Sequence, residues 1–310
     1  MQTITVGLDG DYKSINDALL NTNPEKELTL ILKAGVFEEK IFSKHKNLHI
    51  IGQGMDKTVI TWHDGAMHRH SDGQNIGTFR SYTACFDGDI LTVSNLTIQN
   101  TAGEGKTNGQ AIAAAVYTKF VNMQNVRLKS YQDTLFLGPL PPLERQNNGF
   151  LGPFQKTPRI LSYQLYENCD IFGDVDFIFG GADAVFSHCN IHAIGERDGF
   201  LSAPSGFKKD LGMIFEHCTI TAEKKNSLRL ARPWRSEGKA IFLYCDMTDA
   251  VSDIGFDCWA EKEQTYYFCE YPEHKNRKYC FYITDDKAKE FLNLSDKHKT
   301  MIKEQIKYTR

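Results

Sequence analysis

The feature that most constrains this chain is a six-residue pattern that returns at uneven intervals. It reads apolar, any residue, polar, Cys or apolar, any residue, aliphatic. The copies are Val93–Ile98 (VSNLTI), Met123–Leu128 (MQNVRL), Tyr166–Ile171 (YENCDI), Phe186–Ile191 (FSHCNI), Phe215–Ile220 (FEHCTI) and Phe242–Met247 (FLYCDM). The fourth position falls at residues 96, 126, 169, 189, 218 and 245, so the gaps are 30, 43, 20, 29 and 27. A shortest period near 20, lengthened in other copies, marks a solenoid whose coils carry loops of varying size. Each unit is too short to enclose a core alone, and its alternation makes it strand rather than helix. Stacking such strands in parallel gives an all-β, right-handed parallel β-helix, with the repeated cysteines and aliphatics in internal ladders. The long helices that a doubly wound α/β fold needs between strands are missing from Gly52 to Thr284. A chain of 310 residues is long for a compact domain but ordinary for one elongated β domain, so a single domain is expected over 1–310.

The ends differ from the middle. Ser14 precedes INDALL, a short amphipathic helix with an N-cap, and residues 1–25 read as an N-terminal cap. The segment 284–310 is charged and poor in β-branched residues, and Asp285–Leu292 and Asp296–Lys307 read as helices packed on the side or end of the solenoid. Open ends of a β-helix are exposed sheet edges, which both terminal segments are placed to cover. The stretch 139–159 (PLPPLERQNNGFLGPFQKTPR) reads as a long loop, expected to form a wall or lid of the site, with a disordered surface excursion as the alternative. The net charge of −3 gives no sign of nucleic acid or an anionic membrane as partner, and no apolar run could cross a bilayer. The first residues lack a basic region followed by an apolar core, so no signal peptide is visible; a cytoplasmic or periplasmic location is expected, or a secreted one if a leader is missing from this sequence. Four of the 8 cysteines occupy the repeat's core position, so reduced, buried thiols are expected rather than disulfides. No cysteine or histidine spacing suits zinc.

Two acids stand out because of their surroundings. Asp176 lies between Val175 and Phe177 in a nearly uncharged stretch, Tyr166–Ala184, and Asp133 lies in Ser130–Phe136 (SYQDTLF) beside Gln132. Burying an unpaired carboxylate is expensive, so each is paired, used, or solvated on an edge. In a solenoid, neighbouring coils are about 4.8 Å apart. With the long loop set aside, Asp133 and Asp176 fall on successive coils, where their repulsion should split their pKa values. Arg232, in LARPWR, can hold one of them ionised through a bidentate contact and leave the other protonated. One anion and one acid suit a two-step covalent hydrolysis. Gln132, and Gln110 from the preceding coil, supply amide donors for an oxyanion.

The chain resembles the pectin methylesterase (pectinesterase) family, the family 8 carbohydrate esterases. The likeness runs from GDYKSINDAL at Gly10 to CWAEKEQTYYFCEY ending at Tyr271, through GVFEEKI, IIGQGMDKTVIT, FRSYTACFDGDILTVSNLTIQNTAG, GQAIAAAV, SYQDTLF, GDVDFIFGGA and ARPWR in that order. The resemblance implies that Asp176 is the nucleophile, Asp133 the proton donor and later base, Gln132 the oxyanion stabiliser, and Gln110 an amide that contacts substrate and shares that role. It implies that Arg232 orients Asp176 and binds substrate, that Trp234 and Phe179 line the sugar cleft, and that Thr83 offers a substrate-contacting hydroxyl. The implied substrate is a methyl-esterified galacturonan or oligogalacturonide cleaved at its C6 methyl ester to release methanol, with no metal and no cofactor, by a chain acting as a monomer. Gly181, Ala231, Ser130 and Phe136 depart from the residues common in the family, but none removes a chemical group from the mechanism. The loop between the acids is the larger departure, and a narrowed cleft would favour short oligomers.

Several alternatives stay open on the residues. A pectate lyase or polygalacturonase on the same solenoid type would want a calcium-binding acid cluster with a basic proton abstractor, or several clustered acids. A thioesterase or other acyl esterase could use the same site chemistry. A non-catalytic galacturonan-binding β-helix would use Trp234 and Phe179 but leave the acids idle. His63, His68 and His70 read as a solvated loop, His188 and His217 as stacking residues of the repeat, and Glu38 and Glu39 as solvated.

Overall fold

The computed structural model describes residues 2–247, 249–260, 265–274 and 277–308. The strands wind into a parallel β-helix with three faces. The first face runs through Gln2–Val6, Leu28–Leu32, Asn47–Ile51, the first half of Ile90–Asn100, the first half of Phe120–Lys129, Tyr163–Glu167, Asp183–Ser187, Met213–Glu216, Lys239–Leu243 and Tyr267–Tyr271. The second takes the later halves of the two long strands together with Gly35–Glu38, Thr58–Trp62, Asp170–Gly173, Asn190–Ala193, Thr219–Ala222 and Asp246–Met247. The third runs through Ile41–Ser43, Ala84–Phe86, Ala114–Val116, Leu135–Leu137, Val175–Gly180, Gly199–Pro204 and Leu228–Ala231.

The repeat sets the register. Val126 pairs with Leu96, Arg127 with Asp170, Asp170 with Asn190, Asn190 with Thr219 and Thr219 with Asp246, which are offsets of 30, 43, 20, 29 and 27. These are the gaps between successive copies of the pattern. The pattern spans the bend from the first face to the second. Its third residue is left-handed in every copy: Asn95 (φ 57), Asn125 (φ 53), Asn168 (φ 52), His188 (φ 54), His217 (φ 53) and Tyr244 (φ 51). That bend aims the first and the fourth residue alike into the core. Asparagine tolerates this conformation, whereas a larger side chain pays about 1–2 kcal/mol for it. The larger residues recover ring contact, His188 edge-on to His217 at 5.2 Å and His217 stacked on Tyr244 at 5.6 Å between ring centroids.

Inside, the first position of the pattern builds an aromatic column. Tyr166 and Phe186 are 4.7 Å apart, Phe186 and Phe215 4.7 Å, and Phe215 and Phe242 4.5 Å, with ring planes within 10° of parallel. This is the coil spacing expressed in side chains. Beside it, the thiols of Cys169, Cys189, Cys218 and Cys245 each donate to a carbonyl of the preceding coil (Met123, Tyr166, Phe186 and Phe215) at 3.4 Å. All eight cysteines are free; the four in the repeat are buried as expected from its phase, whereas Cys258 and Cys280, outside it, are half-buried. Burial pushes the Cys169 and Cys218 thiols well above their usual range, which makes them poor nucleophiles.

Both ends refine the expectations. The helix Ile15–Leu20 turns Ile15, Ala18 and Leu19 into the core, and the Ser14 hydroxyl caps it by accepting from the Asp17 N–H at 3.2 Å. Glu39 is not solvated as expected: it accepts from Ser14 Oγ at 2.8 Å and from the backbone N–H groups of Ile15 (2.8 Å) and Asn16 (2.9 Å), a carboxylate held at a helix N-terminus. The C-terminal tail is one helix, Asp285–Tyr308, rather than two. Nothing between Leu292 and Asp296 breaks it, and its buried stripe (Ala288, Phe291, Ser295, His298, Ile302, Ile306) runs straight through the expected gap. The helix lies along the first face, over the outward side chains of Leu165, Val185, Ile214 and Ile241. Lys299 bonds the buried Glu216 at 2.6 Å, and Lys303 bonds Glu167 at 2.7 Å. That face is therefore apolar on both sides.

The aromatic column generates a stability prediction. Phe215 is fully buried between two parallel rings, so Phe215→Ala should cost about 3–5 kcal/mol. Urea unfolding of the variant beside the wild type measures this directly.

Candidate active site

The third face carries the chemistry. Leu135 pairs with Ile178, so Asp133 and Asp176, each two residues upstream of this pair, sit at matching heights on adjacent strands. Both adopt left-handed backbone, Asp133 at φ 65 and Asp176 at φ 51. Around Asp176 the register slips: Val175 pairs with Phe200, but Ile178 pairs with Ser202, so three steps face two. A bulge of one residue re-aims a side chain. Here Phe177 and Ile178 both enter the core while Asp176 turns out to the cleft.

Arg232 reaches Asp176 from two coils further on. Its Nε donates to Oδ1 at 2.7 Å and its Nη2 to Oδ2 at 2.5 Å, a bidentate pair. The guanidinium carbon lies over two aromatic rings, 4.0 Å from the centroid of Phe200 and 3.9 Å from that of Trp259. The Asp133 carboxyl accepts no hydrogen bond among the described residues and faces the same cleft. Burial pushes Asp133 well above the usual carboxylate range, and the neighbouring Asp176 adds to this; Arg232 and Arg197 pull the other way without cancelling it. Burial also raises Asp176, but there the hydrogen bonds and charge of Arg232 oppose it. Asp176 is thus the readier of the two to be ionised, and Asp133 the readier to hold a proton.

The cleft, about 290 Å³, brings together Gln110, Gln132, Asp133, Asp176, Arg232, Phe179 and Trp234. These include every residue expected there from the sequence except Thr83. Thr83 is fully buried, and its hydroxyl donates inward to the Gln99 carbonyl at 2.8 Å, so it offers nothing to a ligand. Thr83 lies one residue before the strand Ala84–Phe86, and its hydroxyl is taken up by the Gln99 carbonyl instead of facing the cleft. Thr78 and Phe79, a few residues upstream, line the cleft instead. Trp234 packs near Phe79 (6.4 Å), Phe179 (5.6 Å) and Phe150 (6.0 Å), so the aromatic wall is continuous.

Besides Thr78 and Phe79, several contributors escaped the sequence reading. Trp259 follows the last copy of the repeat, where the pattern no longer gives phase. Phe200 is one more aromatic in a strand until Arg232 is seen lying on it. Phe150 comes from the long loop, which also brings Arg145, Gln146 and Gly149 to the cleft wall. The histidines at 63, 68 and 70 lie away from it in a loop, where His68 meets the Asn108 amide oxygen at 3.0 Å.

The raised pKa of Asp133 has a consequence for stability. Below the ordinary carboxylate range the residue is protonated in both folded and unfolded chains. As pH rises, the unfolded chain ionises first and the folded state loses stability. Asp133→Asn, which mimics the protonated acid, should therefore melt higher than wild type at pH 7, and the difference should shrink as pH drops below about 4, near the unperturbed Asp pKa. Paired thermal melts across that range test the sign.

Comparison with known proteins matches this arrangement to a family. The family model described as pectinesterase matches residues 3–140 and 153–285, leaving 141–152, within the long loop, outside the match. Pectinesterase 31 of Arabidopsis thaliana is 30% identical over 275 residues, covering 84% of this chain and 78% of that protein. A probable pectinesterase/pectinesterase inhibitor 6 of the same plant is 31% identical over 84% of this chain, which spans 44% of that longer relative. Among solved structures, pectin methylesterase from carrot superposes with a TM-score of 0.76 at 25% identity, covering 92% of this chain and 89% of that one. A pectin methylesterase in complex with hexasaccharide VII gives 0.74 at 23% identity, covering 92% and 94%. The chain belongs to the pectinesterase family.

Proposed function

We propose that this chain hydrolyses the C6 methyl esters of galacturonate units in pectin or its oligomers and releases methanol. The observation that carries the reading is the unequal pair of acids: Asp176 clamped by the Arg232 fork, and Asp133 beside it, buried and, among the described residues, without such a partner. In this reading an Asp176 oxygen attacks the ester carbonyl. The carbonyl π pair moves onto oxygen, and the amide N–H groups of Gln132 and Gln110 stabilise that charge. As the tetrahedral intermediate collapses, the C–OCH3 bond breaks and Asp133 gives its proton to the departing methoxide. The product is an anhydride between Asp176 and the sugar carboxyl. Asp133, now ionised, takes a proton from water as the water attacks this anhydride. Asp176 leaves as carboxylate, and both acids return to their starting states. Arg232 holds the attacking oxygen in line and steadies the carboxylate when it leaves.

The long loop supports a finer reading, in which short methylated oligomers are preferred over polymer. Residues 141–152 fall outside the family match, yet Phe150 packs on Phe79 at 5.7 Å and Arg235 ties the loop down through the Leu143 carbonyl at 2.8 Å. A cleft of about 290 Å³ is at the small end for a ligand site.

Methanol release from methylated oligogalacturonides of defined length, without new reducing ends or unsaturated products, tests the activity against lyase and hydrolase alternatives. Asp176→Asn should abolish nearly all turnover while binding persists, and Gln132→Ala should lower kcat about 100- to 1000-fold. Intact turnover in Asp176→Asn would remove Asp176 as the attacking group, and a wild type that binds the oligomer without releasing methanol would leave only a binding protein. Replacing 141–152 by a short glycine-serine turn should raise activity on polymer relative to oligomer several-fold; an unchanged ratio would remove the length preference.

A further inference from the structure

We propose that Arg197 is a positioning residue for this reaction, fixing which end of the Gln132 amide faces the cleft. The inference rests on the esterase reading above. Arg197 sits on the turn between Asn190–Ala193 and Gly199–Pro204, and its Nε donates to Asp174 Oδ2 at 2.7 Å. Asp174 is 3% exposed, and its other oxygen accepts from the Val175 N–H at 2.6 Å, so the anchor is a buried anion at the start of the strand that carries Asp176. The Nη2 of Arg197 donates to Gln132 Oε1 at 3.2 Å.

A guanidinium carries donors only, so the amide atom that faces it must be the oxygen. This contact therefore decides between two amide orientations that are otherwise nearly equivalent in shape. The NH2 group of Gln132 is turned away from Arg197 and has no partner among the described residues. Gln132 lines the cleft with both acids. The backbone covers the contact from outside: a methyl group at Gly105 would lie 2.5 Å from Gln132 Oε1 and 3.0 Å from Arg197 Nη2. Gly105 is the residue that lets the chain close over the pair.

The orientation matters because the two ends of an amide act oppositely on a developing oxyanion. An N–H stabilises it, whereas a flipped amide puts a carbonyl oxygen beside the new negative charge. Asp174, Arg197 and Gln132 form a relay that excludes the flipped state before substrate arrives.

The test is a kinetic cycle on methanol release from a methylated oligogalacturonide, using Arg197→Lys, Arg197→Gln, Gln132→Ala and the double variants. Lysine leaves a cation beside Asp174 but cannot serve Asp174 and Gln132 together; glutamine leaves a donor without charge. Each single change at Arg197 should lower kcat about 10- to 100-fold with KM nearly unchanged. Either change made in the Gln132→Ala background should cost no further kcat. Losses that multiply in the double variants, or a kcat unchanged in Arg197→Lys, would overturn the positioning role. Loss of melting temperature in step with kcat in both Arg197 variants would also overturn it, as a purely structural effect. A wild type that releases no methanol would instead sink the esterase reading beneath it.

Discussion

Everything in this molecule depends on parallel strands stacking at one spacing. That spacing makes rings such as Phe186, Phe215 and Phe242 a column and the four repeat cysteines a ladder of thiols on carbonyls. It also puts side chains far apart in sequence next to each other at fixed height. A compact globule can bring two carboxylates together only by particular local turns. A β-helix does so whenever two residues share a phase and their coils are adjacent. Here the offset of 43 residues between paired strands is also the distance from Asp133 to Asp176.

Stacking alone would leave two anions repelling in a partly dry cleft. The fold breaks that symmetry with three features: the bulge at Asp176, the bidentate Arg232, and the lack, among the described residues, of any comparable partner for Asp133. Both acids hold left-handed backbone, conformations that disfavour a side chain and that cluster at functional sites. The core around them is nearly continuous, with Phe177 and Ile178 fully buried, and it holds these strained residues in place. The guanidinium itself lies against Phe200 and Trp259, so the position of Asp176 is determined by the packing around its partner as well as by its own strand.

The long loop is the local departure with the largest effect on shape. The same coil that positions Asp133 against Asp176 releases the chain for the loop before the next first-face strand. The loop returns aromatic and polar side chains over the site, including Phe150 on Phe79 and Trp234. The family match omits its centre, residues 141–152, and includes the coils that carry Asp133 and Asp176.

Much of this was legible in the residues. The spacing of the six-residue pattern determined the fold and its register, because each coil must repeat the same inside and outside. The blocks around Asp133, Asp176 and Arg232 pointed to the chemistry, because acids in apolar strands demand partners. What the order of residues left undecided was anything set by which way a side chain points once neighbouring coils meet. Thr83 turned inward to the Gln99 carbonyl, the tail ran as one helix because its apolar stripe found the outer side of the first face, and Trp259 lay beyond the last readable repeat. The contact of Arg197 with Gln132 joins residues 65 apart that share no pattern. Local chemistry repeats along the chain and can be read there; orientation across the cleft arises only when the coils close, and only the tertiary structure decides it.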